Sequence, residues 1–170
     1  MLLNLKTKLA RRRRQDGTGD EGFTLIELMV VVGIIAILLA IAIPTFLASR
    51  GKAQDKSAQS SLRNTLTAAK SIYADTNDYT KADGSALTAG EKSLTFQAAA
   101  SSGPTNVSVS ATASTASTFF AAAKSDAGTC YYIKDSSGAS GTGTEYSSGA
   151  GTCDAATAAG LAATAWVAKW

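Results

Sequence analysis

This chain of 170 residues contains no histidine and only two cysteines. Without histidine, Ser-His-Asp and Cys-His catalytic arrangements are excluded, as is every zinc site that needs an imidazole ligand. Two cysteines are too few for an all-cysteine zinc site, and the acidic residues of the C-terminal half are too dispersed for a calcium site. The sequence therefore predicts a protein that is not an enzyme and has no catalytic residues, metal ligands or cofactor.

Charged residues are scarce and unevenly distributed. They make up 17% of the chain, whereas about a quarter is usual. The formal net charge of +3 lies entirely in residues 1–22, because the two signs cancel in the remainder of the chain. Proteins that bind nucleic acid usually present a positive field across the binding domain. Nucleic acid is therefore not expected as a partner.

A long apolar run follows this basic segment. No residue from Leu28 to Ser49 is charged, and as a helix the run would span roughly 33 Å, about one hydrocarbon thickness. The run predicts a transmembrane helix, and the positive-inside rule places residues 1–22 in the cytoplasm and everything after Arg50 outside. A secretory signal peptide is the weaker alternative, because the nearby Ala-x-Ala sequence, residues 40–42, lies inside the run.

The border of the run has an unusual composition. Gly22 and Phe23 lie just before it, at the cytoplasmic face, where ordinary signal peptidases do not cut. Glu27 places an acid at the apolar edge, which costs a few kcal/mol unless the carboxylate is paired or near the interface. The simpler interpretation is that the Glu27 side chain reaches the lipid headgroups or is protonated. Alternatively, cleavage before Phe23 would create an amine that could pair with Glu27 of its own or a neighbouring helix and fix their axial register.

The string GFTLIELMVVVGIIAILLAIAIP resembles the class III signal of type IV prepilins. In this resemblance Gly22 ends the leader, Phe23 is the first mature residue, and Glu27 and Pro44 occupy the positions characteristic of the family. The resemblance implies cleavage between Gly22 and Phe23 by a prepilin peptidase and N-methylation of Phe23. The leader is longer than is usual for pilins that begin with Phe.

A helical pattern continues beyond the apolar run. Pro44 removes one helix hydrogen bond, which predicts a kink or local gap near residues 40–44. Apolar residues then recur at helical spacing, and polar residues, Gln59 among them, occupy the other faces. One helix is therefore expected from about residue 24 to about residue 75. The expected apolar stripe comprises Ala58, Leu62, Leu66, Ala69, Ile72 and Tyr73.

The remainder of the chain predicts a small sheet. Residues 76–105 are expected to form a loop with a short turn. Alternating segments predict strands near residues 107–109, 118–124 and 129–135, with a weaker strand near 144–147. The expected fold class is α+β, a type IV pilin-like fold in which a long N-terminal helix packs on a three- or four-stranded antiparallel sheet.

The two cysteines, Cys130 and Cys153, lie on the side of the membrane predicted to be oxidising. A disulfide is therefore expected, with two reduced thiols as the alternative. The resemblance adds that many type IV pilins have a C-terminal disulfide that bounds a surface-exposed loop. The segment between these cysteines is polar and rich in turn residues.

The sequence and the resemblance together predict four segments and one function. The expected segments are a cleaved cytoplasmic leader, 1–22; a transmembrane and filament-core helix, 23–49; an amphipathic helix, 50–75; and a globular head, 76–170. The resemblance implies a structural subunit that leaves the cytoplasmic membrane and polymerises with itself into an extracellular pilus. Its implied partners are prepilin peptidase, a membrane platform protein, an assembly ATPase and, before assembly, membrane lipid. The alternatives are a pseudopilin of a type II secretion system and a minor pilin for DNA uptake or adhesion.

Overall fold

The computed structural model of this chain describes residues 22–138, 141 and 143–170. The described chain divides into two compact units, one that ends at Pro44 and one that begins at Thr45. The predicted leader, apart from Gly22, lies outside the described residues.

The first helix, α1, extends from Leu25 to Thr76 and contains Pro44. This agrees closely with the expected helix. Pro44 cannot donate a hydrogen bond to the carbonyl of Ala40, four residues earlier. At the other end, the N–H of Asn77 donates to the carbonyl of Tyr73 at 2.7 Å. Asn77 has a φ of 54°, and a residue in this left-handed conformation commonly ends a helix.

The second half of α1 buries the predicted stripe. Ala58, Leu62, Leu66 and Ala69 are buried, and Ile72 and Tyr73 pack against the same core while remaining partly exposed. The prediction for Gln59 was wrong, because only 5% of this residue is exposed. Its amide oxygen accepts a hydrogen bond from Lys56 Nζ at 3.0 Å, which satisfies a polar atom on the buried side.

Five strands form one sheet in the order β1-β2-β3-β4-β5. The β2–β3, β3–β4 and β4–β5 pairs are antiparallel, whereas β1 pairs with β2 in parallel. The expected antiparallel sheet is therefore confirmed, with β1 as an additional edge strand. The strands are β1, Thr95–Gln97; β2, Asn106–Val109; β3, Thr118–Lys124; β4, Cys130–Ser136; and β5, Gly143–Gly149.

Residues 76–105 contain more regular structure than expected. A 3₁₀ helix occupies Tyr79–Lys81, a short helix, α2, occupies Gly84–Gly90, and β1 follows. Aspartates begin both helices: Asp78 accepts from the N–H of Thr80, and Asp83 accepts from the N–H of Ala86. Aspartate favours such positions because its side chain satisfies a free N–H of the first helical turn.

Both faces of the sheet are covered. The inner face packs on α1 through residues of β2, β3 and β4, such as Val107, Phe119 and Ile133. The outer face is covered by the C-terminal segment, which contains a third helix, α3, at Ala155–Gly160 and a second 3₁₀ helix at Ala163–Ala165. Trp166 packs there with Ala122, Tyr132 and both cysteines. This outer layer was not predicted from the sequence.

Candidate functional site at the start of the first helix

Thr24 and Glu27 join in a reciprocal set of hydrogen bonds at the start of α1. The backbone N–H and the hydroxyl of Thr24 both donate to Glu27 Oε2, each at 2.9 Å. In the other direction, the N–H of Glu27 donates to Thr24 Oγ1 at 3.2 Å. This arrangement is a capping box, which satisfies N–H groups that have no partner within the helix. It fixes the first turn of α1 and the orientation of the Glu27 carboxylate.

Thr24 is a site residue that the sequence prediction missed. The signal was present, because Thr-x-x-Glu directly before an apolar run is the sequence pattern of a capping box. Glu27 was predicted to act through its charge, and its side chain also has this local role at the start of α1. The Glu27 carboxylate therefore has hydrogen-bond donors within its own helix turn.

Gly22 and Phe23 lie outside the helix, directly before the capping box. Both are exposed, and Phe23 has 86% of its surface accessible. A Cβ added at Gly22 would meet nothing within 4 Å, so the fold of the described chain does not demand a glycine there. Gly22, Phe23, Thr24 and Glu27 together line a surface depression of about 510 Å³. The structure thus brings the predicted processing residues and Glu27 together at the surface.

The apolar side chains that follow are all exposed. From Phe23 to Leu47 every side chain faces outward, as do those of the polar residues Ser49 and Arg50. Judged by length and composition alone, one helix among the described residues, α1, is long and apolar enough to cross a membrane. Pro44 lies in this exposed stretch, away from the Thr24–Glu27 box along the chain.

A second polar cluster is centred on Asp135 in β4, which has only 1% of its surface exposed. Tyr79 Oη donates to Asp135 Oδ2 at 2.6 Å, and Thr144 Oγ1 donates to Oδ1 at 2.6 Å. Lys70 Nζ forms an ion pair with Oδ1 at 2.9 Å. Since these partners come from α1, the first 3₁₀ helix and β5, the buried carboxylate connects these three elements to β4.

The structure joins Cys130 and Cys153 in a disulfide, with their Cα atoms 5.4 Å apart. The bond lies on the outer side of the sheet, beside Tyr132 and Trp166. It bounds the β4–β5 hairpin, of which residues 139, 140 and 142 are outside the described part. The described residues between Ser148 and Thr152 are all exposed.

The residues that the structure describes contain no group of three or more histidine, cysteine, aspartate or glutamate side chains suited to a metal ion. The polar side chains at the helix start cap α1. The Asp135 cluster and the disulfide connect elements of the structure. The geometry provides a helix start, an exposed apolar surface and a braced head.

The sequence around this helix start is similar to that of known proteins. The family model described as the prokaryotic N-terminal methylation motif matches residues 18–43. The chain is 33% identical over 112 residues to the type IV wide pilus major component PilA4 of Thermus thermophilus, covering 66% of this chain and 79% of that relative. No solved structure gives a significant match.

Two further relatives match over shorter stretches. The type IV major pilin protein PilA of Myxococcus xanthus is 45% identical over 60 residues, 35% of this chain and 27% of that relative. The fimbrial protein EcpB of Eikenella corrodens is 50% identical over 55 residues, 32% of this chain and 35% of that relative. The chain therefore spans about a third or less of the length of these two relatives.

The methylation motif, the exposed apolar helix and the α+β head together define a class of structural subunits with an N-terminal membrane-type helix. Within that class, the chain belongs to the type IV pilin family, as the match over most of the Thermus thermophilus relative shows. The prediction of a structural pilin subunit is confirmed, and the pseudopilin and minor-pilin alternatives are not favoured by these relatives.

Proposed function

We propose that this chain is the major subunit of a surface type IV pilus and polymerises through the apolar half of α1. The observation that carries the proposal is the unbroken exposure of the apolar side chains between Phe23 and Leu47. Contiguous apolar surface of this extent marks a membrane or protein interaction site. A membrane covers it before assembly, and copies of the same helix cover it afterwards.

The exchange between these two environments costs little free energy. Lipid tails are as apolar as the side chains they contact, so moving the helix from lipid into a bundle of helices sacrifices little hydrophobic free energy. If each copy joins the next by the same operation and that operation does not close on itself, the product is a filament rather than a ring. At Pro44 the carbonyl of Ala40 lacks its helix donor, and we assign this local gap a role in packing the helices.

Maturation changes the charge at the helix start. We assign cleavage to the peptide bond between Gly22 and Phe23, by prepilin peptidase, followed by N-methylation of Phe23. Cleavage replaces a neutral amide with an amine that is protonated at neutral pH, four residues from Glu27. This cation pairs with Glu27 of its own or a neighbouring subunit. When the partner is Glu27 of a neighbouring subunit, a wrong axial position would leave both charges buried and unpaired, so the pair then selects one register.

The remaining partners and the location follow from the same proposal. The precursor is a single-pass protein of the cytoplasmic membrane with its N-terminus inside, in agreement with the basic residues that precede the span. A membrane platform protein and a cytoplasmic ATPase extract the mature subunit. The product is an extracellular pilus, and the polar, turn-rich segment bounded by the disulfide is displayed on it.

Isolation of fibres from the cell surface tests the proposal. Fibres composed mainly of this chain are expected in the unmodified strain. Gly22→Val should leave uncleaved precursor in the membrane and no fibres, because added side-chain bulk at Gly22 affects the peptidase and not the described fold. Gly51→Ala is the matched control, since a Cβ there also meets nothing within 4 Å. Fibres that contain this chain only as a rare component would contradict the assignment as major subunit.

A further inference from the structure

Tyr73 and Tyr79 form a stacked pair where α1 ends. Their ring centres are 4.4 Å apart and their planes are inclined by 29°. Asn77, with its φ of 54°, turns the chain between them. Tyr79 is completely buried, whereas Tyr73 is partly exposed. The pair therefore combines a ring that a solvent-borne reagent can reach with a ring held in fixed contact behind it.

A proton acceptor is already in contact with this pair. Tyr79 Oη donates a hydrogen bond to the Asp135 carboxylate at 2.6 Å, and Lys70 holds that carboxylate in its ion pair. A phenol that has lost an electron is a strong acid. Since Asp135 lies within hydrogen-bond distance, it can take up the hydroxyl proton as the electron leaves.

The remaining tyrosines have different neighbours. Tyr131 and Tyr146 both pack on the ring of Trp170. Tyr132 follows Tyr131 in β4, so its side chain lies on the opposite face of the sheet, where its hydroxyl donates to the carbonyl of Thr152. The stacked arrangement of two tyrosines with a carboxylate acceptor is thus particular to the Tyr73–Tyr79 pair within the described residues.

We infer that Tyr73 and Tyr79 are an oxidative cross-linking site, at which a one-electron oxidant such as a peroxide-derived radical produces a dityrosine. Each ring loses one electron to the oxidant and one hydroxyl proton. The proton of Tyr79 passes to Asp135, and the proton of the partly exposed Tyr73 passes to water. The two rings then join by a carbon–carbon bond between carbons adjacent to the hydroxyl groups. The hydrogen on each joined carbon moves as a proton to its own phenolic oxygen, which restores both hydroxyls. In total the pair loses two electrons and two protons.

The sequence allows a sharp test, because trypsin cleaves after Lys70 and Lys81 and releases residues 71–81 with both tyrosines in one peptide. The full chain is oxidised in dilute detergent solution with a photoactivated ruthenium complex and persulfate. Mass spectrometry should then find this peptide two hydrogens lighter. Cleavage of the peptide bond before Asp75 should leave its two halves joined.

Two variants decide the assignment. Tyr73→Phe keeps the ring that packs on Tyr79 but should abolish the lighter peptide, with an unchanged circular dichroism spectrum. Tyr132→Phe removes a buried tyrosine hydroxyl elsewhere and should leave the yield unchanged. Oxidation found on tryptophans with no lighter 71–81 peptide would overturn the inference. So would dityrosine that persists at the same level in Tyr73→Phe, because it would then arise from other tyrosines.

Discussion

At the scale of single residues, Glu27 combines a local role with a proposed intermolecular one. Its hydrogen bonds with Thr24 form a capping box, and glutamine can take the place of glutamate in such a box. Pairing with the amine of Phe23 requires the negative charge, which glutamine lacks. Substitutions at Glu27 can therefore separate helix capping from charge pairing.

Glu27→Gln and Glu27→Val are both expected to insert into the membrane and to give almost no filaments. The first preserves an acceptor for Thr24 and removes only the charge, whereas the second removes both. Cell fractionation and the yield of sheared fibres measure the two steps. Thr24→Ser, which keeps both the charge and the box, should assemble normally. A normal fibre yield from Glu27→Gln would show that the charge is dispensable.

The pKa of Asp135 determines how the stability of the head is expected to depend on pH. Burial raises the pKa of its carboxyl, but hydrogen bonds from Thr144 and Tyr79 and the interactions with Lys70 outweigh this, so that the pKa lies below the ordinary value of 3.8. A pKa that is lower in the folded state stabilises the fold fully above the unfolded-state value. This stabilisation is lost as the pH falls through the folded-state value.

Asp135→Asn should therefore lower the free energy of unfolding by about 2 kcal/mol at neutral pH, the order expected for losing hydrogen bonds to a buried charge. The difference from the unmodified protein should shrink in acid, where the carboxyl of the unmodified protein also becomes neutral. Denaturant unfolding of the two proteins at several pH values measures this. Asp126→Asn, on an exposed turn, is the control. A difference that stays constant down to strongly acid pH would refute the explanation.

At the scale of elements, periodic patterns predicted the structure well. The helix expected from about residue 24 to about residue 75 is found at Leu25–Thr76, and the strand expected at 118–124 is found there. The missed elements are short or made of small residues. The edge strand β1 has three residues, and its parallel pairing depends on the chain folding back after it. The helix α3 consists largely of alanine, so it has no apolar stripe, and only Asp154 before it signalled a helix start.

The sequence predicted some residues of the candidate site and missed others. Gly22, Phe23 and Glu27 were predicted from their order at the border of an apolar run and from the resemblance to prepilins, and their roles in processing and assembly stay predictions. Thr24 was not, although its hydroxyl completes the capping box. The burial of Gln59 and Asp135 depends on tertiary packing with distant elements, which local sequence does not encode.

The disulfide is expected to make a measurable contribution to the free energy of unfolding. Cys130 and Cys153 are separated by 23 positions, and closing a loop of this length stabilises a fold by roughly 3–3.5 kcal/mol in the chain-entropy model. Replacing both cysteines with alanine should lower the free energy of unfolding by about that amount, as measured by denaturant titration. A reducing agent should destabilise the unmodified protein similarly and leave the double variant unaffected. Equal stability of the oxidised and reduced proteins would contradict this.

At the scale of the whole molecule, the two units differ in how their apolar side chains are covered. In the unit that contains the sheet, the inner and outer faces are both packed. In the described part of the other unit, every side chain is exposed, although most are large and apolar. Such a surface is stable in lipid or against other helices and not in water. The proposed polymerisation through this surface therefore requires that the helix be kept after maturation.

The mass of the polypeptide in purified surface fibres tests that requirement most directly. The expected chain begins at N-methylated Phe23, continues to Trp170 and is two hydrogens lighter for its disulfide. A chain that begins beyond Arg50, with the apolar helix removed, would contradict it.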